Sequence, residues 1–167
     1  MQLKCVDTPE MLETVAGWLA DKQNHQWLDF GNGVQAPSAL SLKLMTQRAV
    51  NVLRAYTADD DVTPIGVVGL SNVDRHAGTA TVWAVLGRKR YGGYTDRAVK
   101  GLLTIAFTEL GLQSVNAWTV ETNIPSIRCM ERLGFHPVGR LRQCHRIDGR
   151  VYDRLLYDLL ASEHTEP

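Results

Sequence analysis

The 167-residue chain has the size of one domain, and 44% of it is hydrophobic, enough for a sizeable core. Its 18 Lys+Arg balance its 18 Asp+Glu, so nothing in the net charge asks for nucleic acid or an anionic membrane as a bulk electrostatic partner. The three cysteines, Cys5, Cys129 and Cys144, are odd in number and far apart, which argues against a disulfide framework or a CxxC metal site.

Buried free thiols in a reducing cytosol are the expectation for these cysteines. Met1–Asp7 is not a basic region followed by a long apolar run, so no signal peptide is expected there. No apolar stretch approaches a membrane span, and a soluble, cytoplasmic protein without membrane or nucleic-acid partners is expected.

Leu3–Val6 reads as a first strand. Thr8-Pro9-Glu10 opens a helix, with Thr8 as its cap and Pro9 at its first position. Met11, Leu12, Val15, Leu19 and Ala20 give that helix one apolar face. Residues 22–37 read as a loop that carries Trp27, Leu28 and Phe30, and Ser38–Gln47 as a second helix. The pattern then turns to strands: Val50–Tyr56, Ile65–Val73 and Thr79–Leu86 form an antiparallel meander, the last alternating as a strand with one wet face does. Val99, Leu102, Leu103, Ala106 and Leu110 share one face of a long helix that Gly111 stops. Val115–Val120 is a strand, Pro125–Leu133 a helix, and Phe135–Arg146 and Val151–Leu160 two strands joined at Asp148-Gly149. This order describes one α/β domain with a mixed sheet over residues 1–162, followed by a frayed tail over 163–167.

The densest chemical signal runs from Leu86 to Thr95, between a strand and the long helix. Glycines let a backbone turn with its N–H groups inward, and a helix N-terminus adds unpaired N–H groups and partial positive charge. Arg88, Lys89 and Arg90 add cationic charge at the rim. The segment is neither a Walker loop nor a GxGxxG, and by itself a Gly-Gly turn with a solvated basic run explains it equally well.

The segment Arg90-x-x-Gly93-x-Thr95 resembles the acetyl-CoA loop of the GCN5-related N-acetyltransferases. Asn123-x-x-Ser126 followed by Glu131-x-x-Gly134-Phe135, then Gly139–Arg142 and Gly149-x-x-x-Asp153-x-x-x-Tyr157, resembles the ribosomal-protein branch of that superfamily. The last small position of the loop is Thr95 here, not Gly or Ala; it is read as a helix cap that also donates to a phosphate oxygen. The resemblance implies a sheet splayed in a V between Thr79–Leu86 and Val115–Val120, with about four flanking helices. It implies acetyl-CoA as cosubstrate, held by Val85, Leu86, Gly87, Arg88, Arg90, Tyr91, Gly92, Gly93, Tyr94, Thr95 and Asn123, with no metal. A bulge near Val85–Gly87 is expected to free backbone groups for the pantetheine arm. Asn123 could equally be a capping residue.

The implied reaction is direct attack of a neutral primary amine on the thioester. Many relatives place a Tyr at the position of Met130 to protonate the leaving thiolate; Met130 cannot donate, and Ser126 shares its helix face. Ser126 is the candidate donor, against the alternative of a polar first-turn residue. No general base announces itself: Asp29, Asp74, His25 and His76 sit in loops that could border the acceptor site but are read as turn or surface residues, and Trp27 and Phe30 are read as core packing rather than acceptor-pocket lining. Acceptors remain open between a protein N-terminus and a small amine such as an amino sugar or amino acid. A non-catalytic acyl-CoA sensor and a nucleic-acid module using Arg88–Arg90 are the competing readings, and a homodimer is an open expectation.

Overall fold

The computed structural model describes residues 1–165. Seven strands form one sheet: β1 (Leu3–Cys5), β2 (Val52–Thr57), β3 (Pro64–Asp74), β4 (Thr79–Leu86), β5 (Ser114–Val120), β6 (His136–Ile147) and β7 (Arg150–Leu160). Their spatial order is β1-β2-β3-β4-β5-β7-β6. All neighbours are antiparallel except β4 and β5, which run parallel. Parallel neighbours need a crossover. Helix α4 (Tyr94–Thr104), prolonged by a π-helical turn over Ile105–Glu109, provides it.

Helices cover both faces. Leu12, Val15 and Leu19 of α1 (Pro9–Ala20) and Leu42 of α3 (Ala39–Thr46) pack on Leu53, Ala55, Val67 and Val85. On the other face, Val99, Leu102 and Leu103 of α4 and Cys129 and Met130 of α5 (Ile124–Arg132) join Tyr56, Val68, Leu70, Val82 and Val115. Strand β4 shows why: Trp83 and Val85 point to the α1 side, and Val82, Ala84 and Leu86 to the α4 side, the two-residue period of a strand buried on both faces. The local signals behave as expected. Thr8 accepts from the Met11 amide and Ser38 from that of Ser41, each closing one helix entrance.

Two expectations need correction. The segment 22–37 is not all loop: Asp21 caps a short helix α2 (Lys22–His25), making five α-helices among the described residues. The bulge expected near Val85–Gly87 is present at the end of β4: Val67 lies opposite Val85 and Gly66 opposite Leu86, but the Arg88 amide donates to the Ile65 carbonyl at 2.9 Å, one residue out of that register, so Gly87 is the extra residue; a further β3–β4 irregularity lies between Ser71 and Asp74. Of the thiols only Cys129 is buried; Cys5 and Cys144 are exposed, and all three are free. At the C-terminus, the Glu163 carboxylate accepts from the Leu160 amide and His164 pairs with Thr104. The remainder of the tail expectation, residues 166 and 167, lies outside the described residues.

Gly66 sits directly opposite Tyr56 on the neighbouring strand, and its missing Cβ leaves the room that the Tyr56 ring fills. Gly66→Ala is therefore expected to destabilise the fold by about 1–3 kcal/mol through overpacking. Urea unfolding of the two proteins, compared at equal m-value, checks this.

Candidate functional site

Pairing between β4 and β5 lasts three residues, Thr79↔Ser114, Ala80↔Val115 and Thr81↔Asn116. The Thr81 hydroxyl donates to Asn116 Oδ1 at 2.7 Å, a side-chain rung at the last matched position. Beyond it β4 follows β3 as far as Leu86 and β5 follows β7 as far as Val120, so the two central strands part. A cavity of about 450 Å³ occupies the fork and is lined by Val82–Leu86 and Ala117–Thr119. Backbone groups of a parallel pair normally satisfy one another; along the fork the inner edges of β4 and β5 have no such partner.

One end of the cavity reaches the start of α4, where Gly92, Gly93, Thr95 and Asp96 line it. Gly93 is the N-cap in the left-handed region, φ +94°, and no side chain caps this helix. Its first-turn amides are left for an external acceptor, at the positive end of the helix dipole. Gly92 and Gly93 have nothing within 4 Å of where a Cβ would stand, so the approach is open. Thr95 does not cap the helix. The Tyr56 hydroxyl lies 3.3 Å from the Val85 carbonyl and 3.0 Å from the Thr95 hydroxyl, either hydroxyl of the latter contact being able to donate. The Thr95 side chain is thus held by Tyr56, while its amide stays open in the first turn of α4. Burial pushes the Tyr56 phenol up to about 12, so it stays protonated.

The other anticipated residues divide. Val85, Leu86, Asn123 and Ser126 line the cavity. Asn123 is the N-cap residue of α5 but makes no side-chain capping bond, which leaves its amide group for the cavity. Gly87, Arg88, Arg90, Tyr91 and Tyr94 do not line it. The bare Cα of Gly87 faces the Trp18 indole. Arg90 folds back onto Tyr91, 4.9 Å over its ring, and the Tyr94 hydroxyl donates to Asp59. Lys89 does line the cavity, and its ammonium donates to Asn24, which in turn donates to the Trp18 carbonyl. The basic loop is thus tied to α1 and α2.

Across from Gly92–Thr95, α5 presents Ser126, Cys129, Met130 and Arg132 to the cavity. Arg132 grips Asp96 with two hydrogen bonds, 2.5 and 3.1 Å. Burial raises the Asp96 carboxyl, but Arg132 and the Cys129 thiol outweigh it and hold Asp96 below its ordinary value. Burial and the adjacent Asp96 push the Cys129 thiol up to about 12, so it is not a nucleophile here.

The opposite end is built by the segment 22–37 and by β4 and β5. Trp27, Phe30, Trp83 and Trp118 line it with Asp29. Asp29 is no free surface carboxylate: one oxygen accepts from Arg154 at 2.9 Å and the other from the amides of Gly31 and Gly33. Burial raises its carboxyl, and Arg154 with the two amides more than reverses this. Arg154 lies 4.0 Å over the Trp118 ring and donates to His145 Nδ1. His145 is 1% exposed, and its Nε2 donates to the Gln26 carbonyl at 2.7 Å, which fixes the neutral tautomer. Asp29 and Arg154 are 125 residues apart, beyond any local pattern. His25 is turned to the Leu19 carbonyl, and Asp74 closes its own turn onto the amides of His76 and Ala77. Among the described residues no three His, Cys, Asp or Glu converge as metal ligands.

Burial, then the charge of Arg154, depresses the His145 pKa below its ordinary 6.5. The unfolded chain takes up that proton first, so stability is fully present above about 6.5 and falls as pH drops from there toward the depressed folded value. Unfolding free energy is expected to decrease between pH 7.5 and 5.5, and His145→Gln to flatten that slope. Denaturant titrations at both pH values for both proteins check it.

A family model described as an acetyltransferase (GNAT) domain matches residues 4–136. An uncharacterized N-acetyltransferase p20 of Bacillus licheniformis is 34% identical over 101 residues, 60% of this chain and 57% of that protein. A probable N-acetyltransferase YjcK of Bacillus subtilis is 35% identical over 107 residues, 63% of this chain and 59% of that protein. The chain thus spans less than two thirds of the length of these relatives. Among solved structures, the spermidine N-acetyltransferase of Vibrio cholerae in complex with CoA and spermine superposes with a TM-score of 0.85 at 17% identity, over 98% of this chain and 96% of that one. A probable acetyltransferase superposes with a TM-score of 0.73 at 24% identity, over 95% and 92%. These likenesses bear out the fold, a single mixed sheet with one parallel step at its centre. With the family model covering most of its length, the chain belongs to the GNAT family of acetyltransferases.

Proposed function

We propose that the chain is an N-acetyltransferase that uses acetyl-CoA and a primary amine. The observation that carries this reading is the fork of β4 and β5, opening a cavity onto the uncapped start of α4. A long polar cosubstrate fits the fork. Its amide arm would take up the unpaired backbone groups along Val82–Leu86 and Ala117–Thr119, as an added strand does. Its pyrophosphate would sit on the amides of Tyr94, Thr95 and Asp96. Asn123 would bond the arm from the α5 side. Acetyl-CoA, when bound, supplies an activated carbonyl with a thiolate leaving group.

The chain's own part is positioning and proton supply. Ser126, in the first turn of α5, lines the cavity and has a hydroxyl without a hydrogen-bond partner among the described residues, so it would be the donor to the departing sulfur. Met130, on the same helix face, is 8% exposed and keeps that space dry. The amine must shed a proton, having a pKa of about 10 for an alkylamine or about 8 for an α-amine. Asp29 and Asp96 are each held by a guanidinium and His145 Nδ1 by Arg154, so water carries that proton out.

We place the chain in the ribosomal-protein branch on Asn123–Phe135 and Gly139–Tyr157. The residues of the second motif support the scaffold: Asp153 binds Arg140 and accepts from the Gln143 amide, and Glu121 accepts from the Asp153 amide. The branch motif therefore says little about the acceptor. Free, exposed Cys5 and Cys144 suit a reducing cytoplasm. Self-association as a homodimer would use the edge strand β6, where Val138 and Leu141 are exposed.

Gly92 has φ −55° and open space at its Cβ, so Gly92→Asp adds a carboxylate to the proposed pyrophosphate seat without backbone strain. It is expected to weaken acetyl-CoA binding at least tenfold, about 1.4 kcal/mol, by calorimetry. Unchanged affinity would remove the seat. Ser126→Ala is expected to lower kcat by about tenfold to a hundredfold with acetyl-CoA affinity unchanged, as for an interaction made in the transition state. Thiol release by the variant at the wild-type rate would take Ser126 out of the mechanism. Binding of acetyl-CoA without turnover on any amine would mark a non-catalytic sensor instead.

A further inference from the structure

The wall facing away from the pyrophosphate seat restricts what the acceptor can be. Trp27, Phe30, Trp83 and Trp118 supply its surface, and Phe30 meets Trp83 edge to face at 5.0 Å. Asp29 is the carboxylate in that wall, and its charge is already answered. Arg154 pairs with one of its oxygens, two loop amides occupy the other, and the pair lies largely out of solvent, with side chains 20% and 15% exposed. Behind Arg154, His145 is neutral by its hydrogen bonds. At the other end of the cavity Asp96 is likewise committed to Arg132. The acceptor end therefore offers aromatic surface and no carboxylate without a cationic partner.

We propose that the acceptor is a primary amine carried on an uncharged aromatic body, and that polyamines are poor acceptors. This rests on the acetyl-transfer reading above and narrows it. A second or third ammonium entering this wall would lose its hydration with no free carboxylate to replace it. An aromatic body instead exchanges apolar surface at about 25 cal/mol per Å² and gains edge and face contacts with the rings. The amine then has its nitrogen toward the fork. Its lone pair forms the C–N bond to the acetyl carbon, the C–S bond breaks with its electrons passing to sulfur, the sulfur takes a proton, and the nitrogen releases one to water.

The test uses the full chain with saturating acetyl-CoA, and 2-phenylethylamine, spermidine and an unblocked peptide as acceptors. Thiol release is expected to give a kcat/KM at least tenfold higher for 2-phenylethylamine than for either of the others. Phe30→Ala is expected to raise KM for 2-phenylethylamine about tenfold and to leave acetyl-CoA affinity unchanged; Phe30→Leu, which keeps the packing on Trp83, is expected to raise it less. Quenching of tryptophan fluorescence with CoA present reads occupancy without turnover, and 2-phenylethylamine is expected to saturate it while spermidine does not. Equal or better use of spermidine or the peptide, or no saturable quenching by 2-phenylethylamine, overturns the proposal. So does a Phe30→Ala protein that binds acetyl-CoA normally and keeps the wild-type KM. Failure to bind acetyl-CoA at all would instead overturn the reading beneath it.

Discussion

The molecule is organised around a ladder that stops after three residues. Had β4 and β5 continued in parallel beyond Thr81 and Asn116, the sheet would be closed and the cavity absent. The parting is not a local defect, because each strand keeps its other neighbour to the end: β4 pairs with β3 through Leu86, and β5 with β7 through Val120. Each is held at its outer edge while its inner edge turns away. Buried backbone groups are seldom left unpaired, so such a fork is stable only where water or a ligand with its own amides fills it. The Thr81–Asn116 bond marks the apex, and the uncapped start of α4 lies at the open end. Strand, loop and helix are consecutive in the chain, so the position of the fork also sets the position of the uncapped start of α4.

The surrounding packing keeps that geometry rigid. The Tyr56 ring fills the space above Gly66, and its hydroxyl reaches both the Val85 carbonyl and Thr95. One fully buried side chain therefore links β2, the edge of the fork and the first turn of α4. On the opposite face, Trp18 lies on Gly87 and, through Asn24, reaches Lys89. The loop between β4 and α4 is gripped from both layers. Its glycines divide the work: Gly87 admits a tryptophan, Gly93 supplies a left-handed cap, and Gly92 leaves the approach open.

What was legible in the sequence was local. Thr8-Pro9 and Ser38 announce helix starts because capping is a matter of three or four residues, and the bounds Thr79–Leu86 match their strand residue for residue, although the wet face expected of it is covered by α1 and the aromatic side chains. The glycine loop and Asn123–Phe135 were readable as motifs, and both border the cavity. The segment 22–37 was opaque because a four-residue helix has too few positions to show a period. The Asp29–Arg154 pair was invisible for a different reason: it is made by a loop near one end of the chain and a strand near the other, and neither residue has a local signature. The fork itself was expected through resemblance, and the bulge expected beside it lies at Gly87, where the β3–β4 register slips by one residue.

The two guanidinium–carboxylate pairs explain how carboxylates can stand in this cavity without spoiling it. Asp96 is in the first turn of α4, where a free carboxylate would be drawn to the same amides that a phosphate needs. Arg132, the last residue of α5, turns it aside. The same contact fixes the end of α5 beside the start of α4, so that Asn123 and Ser126 at the other end of α5 face the fork. Asp29 is treated in parallel fashion by Arg154, which is itself braced by the Trp118 face and His145. Such pairs add little net stability, through solvent screening where a partner is exposed, as at Arg132, and through desolvation where both are covered, as at Arg154 and Asp29. Their effect is on what may bind. At one end a competing anion is withdrawn from the helix amides, and at the other an anion that would attract cations is silenced. On the proposed function, the cavity would then admit phosphate oxygens at the α4 end and favour uncharged surface at the tryptophan end.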